Sequence, residues 1–189
     1  MTESSTKLRM MIVSALFAAI TGVLAQVTVP LPLVPITGQT LAIGLAATIL
    51  GARYGTVSIL IYLALGAIGI PVFAQMSAGI GILVGPTGGY LIGFIPTAFI
   101  IGYYLEKTSF SMLHAMIANV IGMFVALIFG TVWLKIVADL SWTAAFAGGF
   151  LPFIIGGFIK AYLAAWAGIA VRNRLKSTSL LTTREAEAK

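Results

Sequence analysis

The sequence predicts an all-α membrane protein of six transmembrane helices with both termini in the cytoplasm, and three observations predict it. Only 8% of the 189 residues are charged while 60% are apolar, against about 25% charged in a soluble domain. Such a chain cannot coat itself with water-compatible groups, so lipid is the natural solvent for its surface. Residues 10–52 and 54–105 carry no charge at all, and each stretch is too long for a single crossing of roughly 20 residues. The lysines and arginines fall beside alternate connections between apolar runs, where they set topology rather than bind nucleic acid.

The elements follow in order. A first helix is expected at about 8–28, too long for the apolar core of a signal peptide and without a persuasive cleavage site. Pro30, Pro32 and Pro35 lack backbone donors and fix φ, so no helix runs through them. The chain resumes in a short second helix at 38–52 and a third at 55–73. Gly79, Gly81, Gly85 and Pro86 mark the next turn, and helices at 87–105, 110–134 and 143–171 complete the set. Helices rather than barrel strands follow from run length, because none of these runs alternates. Residues 1–176 form one membrane domain, and the polar stretch 177–189 is expected to be a cytoplasmic tail or an expression remnant.

Lys7, Arg9, Arg53, Lys107, Arg172, Arg174 and Lys176 lie at the termini or at the second and fourth connections, and only Lys135 lies on the other face. The positive-inside rule places both termini in the cytoplasm and turns the first and third connections outward. Those two connections are apolar, rich in Gly and Pro, and uncharged. Segments of that kind persist beside water when they pack over something, so they are expected to be lids on an outward pocket.

The inventory supplies no catalytic residue, no metal site and no cofactor motif. There is one histidine, His114, at the start of the fifth helix, no cysteine, no acidic residue inside a predicted span, and no phosphate loop. The chain therefore cannot hydrolyse ATP itself, and any active transport borrows energy from a partner. Lys160 is the one charge well inside a span, about eleven residues or roughly 16 Å from the end of the sixth helix. A cation at that depth points to an anionic ligand group, most simply a carboxylate. The alternative is a lysine bridged to carbonyls near Pro152, Gly156 and Gly157. Thr37 and Gln39 at the opening of the second helix, Gln75, Tyr90 and Asn119 are further polar candidates, with helix capping, an interfacial belt or interhelical packing as their ordinary roles. Ala15 and Ala19, four residues apart on the first helix, offer a small-residue face for internal packing or for docking another membrane protein.

The strings Pro30-Leu-Pro-Leu-Val-Pro-Ile-Thr-Gly-Gln39, Gly51-Ala-Arg-Tyr-Gly55, Tyr62-Leu-Ala-Leu-Gly66, Gly69-Ile-Pro-Val-Phe73 and Gly85-Pro-Thr-Gly-Gly-Tyr-Leu-Ile-Gly-Phe94 closely resemble the BioY family, from about residue 29 to 171. BioY proteins are the biotin-specific S-components of energy-coupling factor transporters. The resemblance implies a six-helix S-component that captures biotin from outside the cell. Its implied partners are a transmembrane T-component, docked through Ala15 and Ala19, and two ATPase subunits. It implies a pocket under the first and third connections. There Lys160 would meet the carboxylate or the ureido oxygen, Tyr90 and Gln39 would serve the ring system, and Gly88 and Gly89 would permit close approach of the backbone. Gly157 stands where the family pattern carries an aspartate three residues before the lysine. An S-component for another small carboxylated vitamin, or a structural membrane protein, are the alternatives.

Overall fold

The computed structural model describes residues 3–177, so the expected tail at 178–189 lies outside the described residues. Helix α1 spans Glu3–Ala25. A two-stranded ribbon follows, β1 (Thr28–Val29) antiparallel to β2 (Ile36–Thr37), with Thr28 opposite Thr37 and Val29 opposite Ile36. Then come α2 (Gln39–Ala67), a 3₁₀ turn at Ala74–Met76, α3 (Ile80–Val84), α4 (Gly88–Lys107), α5 (Met112–Val137), α6 (Trp142–Gly149) and α7 (Phe153–Ser177). The fold is an all-α membrane bundle, and α1, α2, α4, α5 and α7 are each long and apolar enough to cross a bilayer.

The expected second and third helices are the two arms of α2. Gly51 sits inside that helix at φ 80°, ψ −173°, a region of backbone space that is essentially glycine's alone. The chain folds back there. A Cβ on Gly55 would lie 2.9 Å from the Ala47 Cα, and the side chains of Gln39 and Tyr62 meet at 2.6 Å, whereas 23 residues of straight helix would separate them by about 34 Å. The third helix stops at Ala67 rather than 73, because Gly69 takes φ 105° and Pro71 follows. The sixth divides into α6 and α7 just before Phe153, since Pro152 has no N–H to continue α6 and its ring obstructs the preceding turn.

Helix α4 is the centre of the bundle, packed against α2 on one side and α5 on the other, with α7 closing against both of these. Its inner stripe, Leu91, Phe94, Ala98, Ile101 and Leu105, recurs at the three- to four-residue spacing of one helical face and is buried throughout. Helix α1 packs more peripherally, its Met10 and Phe17 meeting Ala46, Ile49 and Leu50 of α2. The outward faces are as apolar as the inward ones: Val23, Leu113 and Ile155 are 70%, 67% and 77% exposed. Side chains of this kind around the whole circumference are stable in hydrocarbon and costly in water.

Candidate substrate-binding site

One cavity of about 280 Å³ opens at the end of the bundle away from the Gly51 turn. Helices α2, α4, α5 and α7 wall it together with the connections before and after α2. The start of α2 and the ribbon before it give Val34, Pro35, Thr37, Gln39 and Thr40; the connection after α2 gives Phe73 to Gln75 and Ser77. Helix α4 contributes Tyr90, Leu91 and Phe94. Met123, Ala126 and Leu127 come from α5, and Phe153, Gly157 and Lys160 from α7. The lining is mainly aromatic and aliphatic, with polar groups from the ribbon and α2, from the connection after α2, from the start of α4 and from α7, the composition expected for a small amphiphilic ligand.

Lys160 is half-buried, and its Nζ donates to the Thr37 carbonyl at 3.0 Å. Among the described residues no carboxylate pairs with it. An ammonium has three protons to place, and this contact ties the ribbon to α7 while the cavity receives the rest of the head. Gln39 is 5% exposed and held on both sides, its Nε2 donating to the Tyr62 hydroxyl at 2.6 Å and its Oε1 accepting from the Thr37 hydroxyl at 2.7 Å. Tyr62 in turn stands edge-on to Phe73, with centroids 5.5 Å apart. The polar corner of the cavity is thus a braced unit, Lys160–Thr37–Gln39–Tyr62.

The Tyr90 hydroxyl donates to the Gly149 carbonyl at 2.5 Å, at the end of α6, with Thr131 Oγ1 at 3.5 Å. What Tyr90 offers the cavity is therefore its ring, tilted against Phe153 at 6.0 Å. The ring lies so close over Gly130 of α5 that a side chain there would take its place. Gln75 sits exposed at the rim. Gly88 and Gly89 are not in the cavity wall: a Cβ on Gly88 would strike the Leu83 carbonyl and one on Gly89 the Trp133 side chain, so they allow α3 and α5 to approach α4. Asn119 lies below the cavity, where its Nδ2 donates to Thr48 Oγ1 at 3.0 Å and to the Ala115 carbonyl at 2.9 Å. That is interhelical packing, apart from one edge on a void of about 20 Å³ beneath Lys160.

Several wall residues carry no signal in a reading of polar groups. Phe73, Phe94 and Phe153 look like any membrane aromatic until the helices bring them together. The Met123 thioether occupies the space that any side chain at position 157 would need. Thr40 stands between the main cavity and the lower void, and its Oγ1 is buried without a hydrogen-bond partner. An orphan hydroxyl costs about 1–3 kcal/mol, and because Thr40 lines the cavity as Lys160 does, the hydroxyl is a candidate ligand group rather than part of the braced corner. Its position directly after Gln39 was the available clue.

The model of the BioY family matches residues 1–177. The biotin transporter BioY2 of Lactococcus lactis is 42% identical over 175 residues, which cover 93% of this chain and 96% of that protein. The biotin transporter BioY of Thermotoga maritima is 38% identical, covering 87% and 96%. The crystal structure of the S-component for biotin from an ECF-type ABC transporter superposes with a TM-score of 0.83 at 31% identity, covering 92% of this chain and 95% of that one.

Proposed function

The chain belongs to the BioY family, and from that membership we propose that it captures biotin in the cavity between α2, α4, α5 and α7, as the substrate-specific subunit of an ATP-driven ECF uptake system. It is a multi-pass protein of the cell membrane and a transporter subunit rather than an enzyme. The observation that carries the reading at the level of residues is Lys160, a cation with no carboxylate partner among the described residues, set in the wall of an otherwise largely apolar cavity.

Biotin has the complementary shape: an apolar bicycle with a polar ureido edge, and an aliphatic chain ending in a carboxylate. In this assignment Lys160 takes the carboxylate, because a full negative charge neutralises a desolvated ammonium more completely than a carbonyl dipole does. The ring system then lies among Phe94, Tyr90 and Phe153. Thr40 and Gln39 supply hydroxyl and amide groups to its polar atoms, and Gln75 and Ser77 border the rim. The clustered lysines and arginines lie at the opposite end of the bundle, around the Gly51 turn and the ends of α4 and α7, so the cavity faces outward by the positive-inside rule. Ala15 and Ala19 are exposed on α1. They form the surface assigned to the transmembrane T-component, which couples the chain to two ATPase subunits.

Titration of the purified protein with biotin, followed by tryptophan fluorescence or calorimetry, tests the reading. Saturable binding of one biotin per chain is expected, with Trp133 as the nearest reporter; flat traces at micromolar biotin reject it.

A further inference from the structure

The residue that places the outer wall of the cavity lies outside the cavity, at the end of α1. Gln26 bonds the segment after α2 through both ends of its amide. Its Nε2 donates to the Phe73 carbonyl at 3.0 Å and more weakly to the Val72 carbonyl at 3.5 Å, while also bonding Gly22 of its own helix at 3.0 Å. Its Oε1 accepts from the Met76 N–H at 2.8 Å. The segment so held is a tight strap. Phe73 pairs with Ser77 across it, and the Ser77 hydroxyl bonds the Ala74 carbonyl at 2.7 Å. At its tip Gln75 and Met76 take φ of 58° and 55°. Left-handed backbone is uncommon outside glycine and persists where surrounding bonds over-determine it. Here the external bond to Met76 comes from Gln26. The strap supplies Phe73, Ala74, Gln75 and Ser77 to the cavity wall, and the Phe73 ring, 1% exposed, anchors it against Gly66 and Tyr62.

We propose that Gln26 is a positioning residue for substrate retention: by holding a left-handed strap in the cavity wall it slows escape of the ligand without touching it. The proposal rests on the cavity being the biotin site. Loss of Gln26 frees the tip to relax toward ordinary backbone angles, which moves the wall away from the ligand and leaves the polar corner at Lys160 intact.

The experiment measures biotin association and dissociation by stopped-flow for the wild-type protein, Gln26→Leu and Gln26→Glu, with hydrogen exchange across residues 72–77. Gln26→Leu, which keeps bulk and removes every side-chain bond, is expected to raise the dissociation rate about tenfold, the equivalent of one to two net hydrogen bonds. It should also speed exchange at Met76 while residues 14–22 of α1 keep their protection. Gln26→Glu keeps the acceptor for Met76 but turns a carboxylate oxygen toward the Phe73 and Gly22 carbonyls, and is expected to release biotin faster than wild type and more slowly than Gln26→Leu. Adding Met76→Gly to Gln26→Leu removes the cost of the left-handed residue and should recover part of the slow dissociation, which a mere helix-end role for Gln26 would not predict. Unchanged dissociation in Gln26→Leu, or faster dissociation with unchanged exchange at Met76, overturns the proposal. If Gln26→Leu does not fold, Gln26→Glu decides: faster dissociation with unchanged exchange at Met76, or faster exchange there with unchanged dissociation, overturns it. Absence of biotin binding by the wild-type protein would instead reject the assignment of the cavity.

Discussion

Replacing Lys160 by methionine keeps an unbranched apolar stem, one atom shorter, and removes the charge. Two interactions go with it. The first is the bond to the Thr37 carbonyl at 3.0 Å, worth about 0.5–1.5 kcal/mol net, or somewhat more for a charged donor; its loss loosens the ribbon over the cavity equally with and without ligand. The second is the proposed pair with the biotin carboxylate, in a cavity that Lys160 lines with Phe94, Phe153 and Met123. Truncating one partner of a desolvated hydrogen-bonded charge pair costs about 2–5 kcal/mol, so the dissociation constant for biotin is expected to rise about 30- to 4,000-fold. The comparison that gives the number meaning uses biotin methyl ester, which keeps the ring system and loses the negative charge. Calorimetric titration of both proteins with both ligands forms a double-mutant cycle. The wild-type protein should discriminate strongly against the ester, and Lys160→Met should discriminate little. Equal losses for acid and ester would move Lys160 to the ureido end, and unchanged affinity for both would remove it from the site.

Thr40→Val is isosteric and deletes the orphan hydroxyl; thermal unfolding without ligand should be unchanged or slightly raised, while biotin affinity falls about three- to tenfold. Equal affinity would make the hydroxyl a bystander. Gly51→Ala places a side chain at φ 80° beside the Glu106 carboxylate and is expected to destabilise the fold by about 1–3 kcal/mol, read as a lower midpoint of thermal unfolding in detergent; an unchanged midpoint would show that the α2 turn tolerates another geometry. Trp at both Ala15 and Ala19 should abolish co-purification with the T-component while biotin binding by the isolated chain stays within twofold, and normal co-purification would place the docking surface elsewhere.

Much of the frame was legible because hydrophobic run length, proline and charge position are strong signals in a membrane, where every misplaced polar group is expensive. They located the helical stretches and both apolar connections of the cavity wall. The shortfalls have definite causes. Arg53 marks the boundary between the second and third helices, but that the chain reverses on the single residue Gly51, with no loop between the arms, is a backbone conformation that hydropathy does not record. Gly88 and Gly89 suggest backbone close to a ligand, yet the close approach they permit is to α3 and α5, a distinction that depends on which neighbour arrives. Gly157 reads as a missing carboxylate, whereas the structure fills the place with Met123 from another helix. Gln26 lies 46 residues or more along the chain from the strap it holds, and no local pattern announces such a contact.

The two ends of the bundle are built on different principles, and the same helices serve both. At the Gly51 end, the Glu106 carboxylate of α4 accepts from the Ala52 N–H at 2.9 Å, and the Arg172 guanidinium of α7 donates to the Ile49 carbonyl while lying 3.4 Å from the Phe110 ring centroid. An anion therefore caps the start of one arm of α2 and a cation the end of the other, each matched to the partial charge of the helix terminus it meets. This fixes α4 and α7 to the turn of α2 at one end. Their other ends carry Tyr90 and Lys160 to the cavity, where the remaining wall is ribbon and strap rather than helix. The connections at the other end are held by side-chain bonds from Lys160 and Gln26, by the buried Phe73 ring and by a few backbone bonds, so displacing them would disturb less packing than displacing the clamped helices.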